Sequence, residues 1–137
     1  MIRRPPRSTL DRSSAASDVY KRQNLSIIMV WLSGGLSAFI DNIPFATTMA
    51  PVVSDLLSTN EAMNSGNSTH PLWWALTLGA DLGGNFTIVG ASANVVVFTV
   101  ARASGYPISF FQFFKYGFLI SVVSLAISCG YILLRYY

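Results

Sequence analysis

The sequence is poor in charged side chains, which make up 11% of its 137 residues, whereas hydrophobic residues make up 52%. Soluble domains average about 25% charged residues, so this composition, with a mean hydropathy of +0.47, indicates a membrane protein. Cysteine and histidine are equally scarce, with one of each. A disulfide within the chain is therefore excluded, and a zinc or copper site, which needs several thiolate or imidazole ligands, is not expected.

Positive charge is also scarce once the first 22 residues are set aside, because six of the nine basic residues lie there. From residue 24 onward three basic residues stand against four acidic ones, namely Arg102, Lys115, Arg135, Asp41, Asp55, Glu61 and Asp81. No basic patch remains, so nucleic acid is not a predicted partner. The sequence also lacks a Gly-rich phosphate loop followed by lysine, and no cofactor is predicted.

Residues 1–23 contain no long apolar run, although a secretory signal peptide needs about 7–15 apolar residues. This segment is basic and Ser-rich, and its strings MIRRPPRSTL and SSAASDVYKRQ resemble translated sequencing-adapter sequence. A basic cytoplasmic arm beside a membrane is the alternative interpretation. We predict that residues 1–23 are a disordered, artefactual leader and that residues 24–137 are the C-terminal part of a membrane domain.

A polar, glycine-rich interruption, GADLGGNFTIVGASAN at residues 79–94, divides the apolar region around it. A straight helix over residues 72–104 would be about 50 Å long, which exceeds a hydrocarbon core of about 30 Å. Unpaired backbone groups and charges are costly in lipid, so this pattern predicts a discontinuous transmembrane helix that lines a binding site. We place the break at residues 90–94, with one half-helix ending near Ile88 and the next starting near Asn94.

Two shorter apolar runs, residues 25–40 and 45–57, flank the polar residues 41–44. As helices they would reach about 24 Å and about 20 Å, which is too short to cross a bilayer comfortably. The pattern predicts a re-entrant helical hairpin, in which Asn42 caps the second arm and Pro44 begins it. An ordinary aqueous loop between two helices is the alternative for Asp41.

The candidate binding residues at these two interruptions carry oxygen atoms. Such hard ligands suit sodium, protons and small oxyanions, and not transition metals. Half-helix ends add carbonyl groups for a cation and N–H groups for an anion. The predicted ion- and substrate-binding residues are Asp41, Asn42, Thr47, Thr48, Asp81, Asn85, Thr87, Ser92 and Asn94. The predicted structural break residues are Pro44, Gly83, Gly84 and Gly90. Close approach of a neighbouring helix is the alternative explanation for two of the glycines at positions 79, 83, 84 and 90.

The remaining segments are predicted to have simpler structural roles. Residues 60–70 are polar and indicate an aqueous loop in which His70 is solvated or at an interface. Residues 105–115 are aromatic-rich with a basic end, which predicts a connector lying in the membrane interface. Residues 116–134 are uniformly apolar and predict a final transmembrane helix. The expected location is an integral position in the plasma (inner) membrane.

Four ordered motifs carry a family resemblance: SAFIDNIP at residues 37–44, PLWWAL at 71–76, GADLGGN at 79–85 and GASANVV at 90–96. They resemble the arsenite permease, sodium/proton antiporter, citrate transporter-like and P protein-like members of the ion transporter superfamily. The resemblance implies an all-α membrane protein and a partial second repeat of an inverted-repeat transporter, made of a re-entrant hairpin, a discontinuous helix and a final helix. It also implies that Asp41, Asn42, Asp81, Asn85, Ser92 and Asn94 lie at or near the ion and substrate site.

Phe86 departs from that family pattern, because glycine is expected after Gly-Gly-Asn, and its ring is expected to narrow the site. The leading functional prediction is a fragment of an ion-coupled secondary transporter, either an anion permease or a sodium/proton antiporter. Its expected partners are the lipid bilayer, sodium or a proton, a small anion, the missing N-terminal repeat and a second copy in a homodimer.

Two other functional classes stay open from the residues alone. An intramembrane aspartyl protease would use Asp41 and Asp81 as a dyad that shares a proton. The segment before Asp81 lacks the Gly-x-Gly-Asp signature such proteases resemble, so an enzyme is not the prediction. A non-transporting membrane assembly subunit is the third class.

Overall fold

The computed structural model describes residues 9–59 and 70–137, and all regular structure within them is helical. This part of the chain confirms the all-α prediction. Five α-helices and one short 3-10 turn follow in order: α1 Thr9–Ser37, α2 Asn42–Thr59, α3 Pro71–Gly83, the 3-10 turn Gly84–Phe86, α4 Ser92–Ala103 and α5 Phe110–Tyr136. Most of the predicted polar loop, residues 60–69, lies outside the described residues, as do residues 1–8.

Helix α1 runs for 29 residues and continues without interruption through residues 9–23. The structure therefore differs from the disorder predicted for that segment. Residues 9–23 contain neither proline nor glycine, and a helix nucleated in the apolar part can extend through such residues at little cost per residue. The artefactual origin of residues 1–23 stays a prediction.

Helices α1 and α3 pack so closely that their backbones touch. A methyl group at Gly79 would overlap the Ser33 hydroxyl, and one at Gly83 would overlap the backbone of Gly34. Small residues at a helix interface allow this approach. Gly83 is the last residue of α3, so it packs against α1 and also stands where the helix ends; its role as a residue that breaks the helix stays a prediction.

We expect Gly83→Ala to weaken this helix pair, because overpacking a tight contact costs about 1–3 kcal/mol. Unfolding of the chain in mixed micelles, followed by tryptophan fluorescence against increasing SDS, measures the change. Gly35→Ala is the matched control, since a methyl group at Gly35 meets no atom within 4 Å and alanine favours helix. Equal unfolding midpoints for the two variants would contradict the packing.

Helix α5 has 27 residues and is the one helix in the described ranges that is long and apolar enough to span a bilayer. It begins at Phe110, so residues 110–115 form its first turns and do not belong to a connector as predicted. Pro107 lacks a backbone N–H and keeps the chain non-helical just before α5. The connector is thus short, and it turns at Gly105, whose φ is 85°.

The core lies between α1, α3 and α5. The Ser26 and Tyr137 hydroxyls are hydrogen-bonded at 3.0 Å, which joins the end of the chain to α1. Helix α4 differs from the others because none of its residues is buried, and its valines are 42–61% exposed. Its apolar surface is therefore available to lipid or to another protein segment. The largest fully buried apolar side chains of the core are Leu72, Leu125, Ile132, Val30 and Val53.

Helix α2 begins at Asn42, one turn after α1 ends. Pro44 is its third residue, not its first, and Ile43 is helical despite the proline that follows it. The first four N–H groups of a helix have no partner within it, so proline at the third position removes no helical hydrogen bond. The tip between α1 and α2, residues 38–41, faces the interruption between α3 and α4.

Candidate functional site

The interruption between α3 and α4, called the break below, comprises residues 84–91. It consists of the 3-10 turn followed by residues that include extended Thr87 and Ala91. The break begins six residues earlier than predicted, and the first half-helix ends at Gly83 instead of near Ile88. Two consecutive glycines followed by asparagine have low helix propensity, which accounts for the earlier end.

Thr87 connects the break to the tip by hydrogen bonds. Its buried side chain, 2% exposed, donates a hydrogen bond to the Ala38 carbonyl oxygen and accepts one from the Gly90 N–H at 3.0 Å. Asn94 holds the break from the other side, because its amide donates to the carbonyl oxygens of Gly84 and Thr87, each at 3.1 Å. The two side chains together fix an irregular backbone that lacks helical hydrogen bonds of its own.

Asn42 reaches into the same region from the start of α2. With its amide nitrogen turned towards the break, that nitrogen lies 2.7 Å from the Ser37 hydroxyl oxygen and 3.0 and 3.1 Å from the carbonyl oxygens of Ala80 and Gly90, and its two protons serve two of these three acceptors. Ser37 in turn donates to the Ala80 carbonyl oxygen at 2.6 Å. Asn42 therefore joins α1, α2, α3 and the break, and it does not cap α2 as predicted.

Backbone carbonyl groups converge beside Gly90. The point that a Cβ atom of Gly90 would occupy lies 2.6 Å from the Gly84 oxygen, 2.9 Å from the Ala38 oxygen and 3.0 Å from the Ser37 oxygen. Gly84 faces the same space, because a methyl group there would overlap the Asn42 side chain. Glycine at both positions is what allows the tip and the break to approach. Several carbonyl oxygens at one point are the type of ligand that sodium and other hard cations take.

A cleft of about 440 Å³ separates α2 from α3 and contains Asn42, Thr47 and Asp81 in its lining. Asp81 is exposed there, on the outer face of α3. Thr47 and its neighbour Thr48 both donate to the Pro44 carbonyl oxygen within α2, and Thr48 does not line the cleft. This cleft therefore gathers three of the predicted site residues on the side of the break where Asn42 lies.

A larger cleft of about 740 Å³ lies between the break, the connector and α5. Its lining includes the side chains of Asn85 and Asn94, and its other hydrogen-bonding side chains are Tyr106, Gln112 and Tyr116. None of its lining residues is charged. Helix α5 approaches the break closely here, because a methyl group at Gly117 would overlap the Asn85 carbonyl oxygen.

Phe86 does not line either cleft. Its ring packs against Phe118 of α5, with 5.5 Å between the ring centroids, and it is 9% exposed. The expected narrowing of the site by this ring is therefore not what the structure shows. The ring instead anchors the 3-10 turn to α5.

The structure brings some of the predicted site residues together and separates others. Asn42, Thr87 and Asn94 meet at the break with Gly84 and Gly90, whereas Asp81 and Asn85 line different clefts. The residues that line neither cleft are Asp41, Thr48, Thr87 and Ser92. No group of three or more His, Cys, Asp or Glu residues that could hold a metal occurs among the described residues.

Sequence reasoning missed Ser37 and misplaced His70. Ser37 is fully buried and contacts both Asn42 and α3, although it is not among the predicted binding residues. The signal was present, because Ser26, Ser33 and Ser37 recur at spacings of seven and four, which place them on one helix face. His70 is buried and caps α3 by accepting a hydrogen bond from the Leu72 N–H at 3.2 Å, instead of being solvated.

Comparisons with known proteins give the class of this chain. Residues 13–79 match the citrate transporter family. The chain is 46% identical over 110 residues to the 46 kDa membrane protein of Mycobacterium leprae and 45% identical over 112 residues to an uncharacterized transporter of Mycobacterium tuberculosis. It is 44% identical over 110 residues to the P protein of Homo sapiens. No solved structure matches.

These alignments cover 80–82% of this chain but only 25% of the two mycobacterial proteins and 13% of the human protein. The chain thus spans about a quarter or less of the length of these relatives. The chain is thus similar to proteins of a membrane transporter class. Residues 13–79 resemble the citrate transporter family, and the relatives confirm the resemblance to the ion transporter superfamily.

Proposed function

We propose that this chain forms one part of an ion-coupled secondary transporter, in which α1 and α2 make a re-entrant hairpin and α3 and α4 make a discontinuous membrane helix. The observation that carries the proposal is the convergence of the Ser37, Ala38 and Gly84 carbonyl oxygens beside Gly90. Irregular backbone at membrane depth is stable where it lines a binding site. Carbonyl groups freed from helical bonding at such a break coordinate coupling cations in secondary transporters.

The transported substrate in this proposal is a small carboxylate of the citrate type. Support comes from the beginning of α4, where no side chain caps the first N–H groups. Such groups carry partial positive charge and favour anions. The adjacent 740 Å³ cleft adds the neutral carboxamide of Asn85. A cation bound at the carbonyl groups would offset part of the negative charge of the substrate. Exchange of sodium for protons is the second form of ion coupling that the carbonyl groups and Asp81 support.

The exposed valine surface of α4 supports a further part of the proposal. None of the residues of α4 is buried, and apolar surface of this kind is covered by lipid or protein in a membrane protein. We propose that another repeat of the same transporter, the surrounding lipid or a second copy in a homodimer covers it. The proposed location is the plasma membrane.

We expect the complete transporter that contains this sequence, reconstituted in vesicles, to move labelled citrate faster under an inward sodium gradient than under a choline gradient. Asp81→Asn should raise the sodium concentration for half-maximal flux by about tenfold, because removing a favourable charge worth about 1.4 kcal/mol has this effect. Asp55→Asn is the control, since Asp55 is an exposed carboxylate on α2 outside both clefts. A rate of citrate uptake that is the same with and without sodium and proton gradients would contradict ion coupling.

The same flux measurement distinguishes the transporter from the two alternative classes, an assembly subunit and an aspartyl protease. A non-transporting assembly subunit predicts that Asp81→Asn leaves flux unchanged and weakens partner binding. A protease dyad needs two carboxyl groups close enough to share a proton, whereas Asp81 lines the α2–α3 cleft and Asp41 does not. The Mycobacterium tuberculosis relative is named as an uncharacterized transporter, which also favours flux over cleavage.

A further inference from the structure

The orientation of the Asn42 amide follows from counting protons. The Ser37 hydroxyl has a single proton, and the Ala80 carbonyl oxygen accepts it at 2.6 Å. Ser37 cannot also donate to an Asn42 oxygen. An amide oxygen turned this way would moreover face the carbonyl oxygens of Ala80 and Gly90, which are acceptors only. The amide nitrogen lies within 3.1 Å of these acceptors. Because the Ala80 oxygen already accepts from the Ser37 hydroxyl and the Gly84 N–H, the two amide protons go to the Ser37 and Gly90 oxygens.

The hydrogen bonds of the Asn42 amide stabilise the structure more in this buried place than they would on an exposed surface. Gly90 is buried, and a buried carbonyl group left without a donor is costly. Ala80 lies in the last turn of α3, where carbonyl groups carry the negative end of the helix dipole. The Asn42 amide nitrogen therefore places partial positive charge beside the carbonyl oxygens of Ala80 and Gly90.

We propose that the Asn42 amide acts as a latch that closes the tip onto the break without a bound cation, and that Ser37 is the positioning residue that keeps the amide nitrogen turned towards the break. The acceptors used by the latch, the Ser37 hydroxyl and the Gly90 carbonyl oxygen, differ from the Ser37, Ala38 and Gly84 carbonyl oxygens beside Gly90. Closure of the tip is thus separate from cation binding. The consequence for transport rests on the proposed function: the carrier can close in its ion-free state.

Asn42→Asp tests the latch because it keeps the shape of the side chain and replaces two protons with a negative charge. The carboxylate then faces carbonyl oxygens, and the break closes only when a cation neutralises the repulsion. The measurement is hydrogen exchange of the backbone amides of residues 84–92, in the purified chain in lipid nanodiscs at pH 8, with sodium or choline as the salt.

In the wild-type chain we expect these amides to exchange equally slowly in both salts. In Asn42→Asp we expect exchange at least about tenfold faster in choline, which corresponds to a loss of about 1.4 kcal/mol, and recovery in sodium. Asn24→Asp, at an exposed position of α1, is the matched charge control and should behave as wild type. Three results would overturn the latch. The first is a wild-type break whose amides exchange slowly only in sodium. The others are an Asn42→Asp break whose amides exchange slowly in choline, or one whose amides still exchange fast in sodium.

Ser37→Ala tests the positioning role. We expect faster exchange at residues 84–92 in both salts with unchanged exchange at residues 72–79, because the amide loses its fixed orientation while α3 stays intact. Ser33→Ala is the control of equal burial, since the Ser33 hydroxyl donates to the Met29 carbonyl oxygen of its own helix at 2.5 Å. Equal exchange at the break in these two variants overturns the role of Ser37. Citrate flux that does not depend on sodium or proton gradients would instead contradict the proposed function, and it would not affect the evidence for the latch.

Discussion

Gly90→Ala is expected to reduce sodium-driven flux through the complete transporter by about 5- to 150-fold, as a contact penalty of about 1–3 kcal/mol at the binding step predicts. The added methyl group would lie within 3.0 Å of three carbonyl oxygens, those of Gly84, Ala38 and Ser37. It would push the tip away from the break and so displace the carbonyl groups that we propose bind the cation. Initial rates of citrate uptake across a sodium series measure the effect.

Gly130→Ala provides the control for this substitution. Gly130 lies in α5, and a methyl group there meets no atom within 4 Å. We therefore expect flux through this variant to equal that of the wild type, while helix propensity rises slightly. A Gly90→Ala transporter with unchanged sodium affinity and rate would show that the carbonyl groups at the break do not bind the cation.

Asn94→Ala is expected to destabilise the break by about 2–6 kcal/mol, because two carbonyl groups lose the donor that satisfies them and each unsatisfied group costs about 1–3 kcal/mol. The donors are 3.1 Å from the Gly84 and Thr87 oxygens. Alanine itself favours helix, so any loss reflects these contacts and not the stability of α4. Hydrogen exchange at residues 84–91 and the midpoint of SDS unfolding measure the loss.

Thr99→Ala is the matched control for Asn94→Ala, because the Thr99 hydroxyl is exposed and donates only to Val95 in its own helix. We expect its unfolding midpoint to stay close to that of the wild type. If Asn94→Ala and Thr99→Ala unfold alike, Asn94 does not hold the break, and the carbonyl groups of Gly84 and Thr87 are satisfied in another way.

The sequence predicted the helical elements well where hydrophobic length and glycine content decide the structure. The apolar run at residues 116–134 lies within α5, and the glycine-rich stretch at 79–94 contains the break. Both follow from local chemistry, because a long apolar run without proline forms a helix and consecutive glycines end one. Boundaries were less accurate, as the start of α5 at Phe110 and the break at residues 84–91 show.

What only the tertiary structure decided is which polar groups meet. The sequence by itself determined an all-helical membrane protein with two polar interruptions rich in carboxamide and hydroxyl side chains. It did not determine that Gly79 and Gly83 serve helix packing while Gly84 and Gly90 face each other, or that Ser37 orients Asn42. These pairings join residues far apart in the chain, and helix periodicity fixes the face of a residue but not the partner packed against that face.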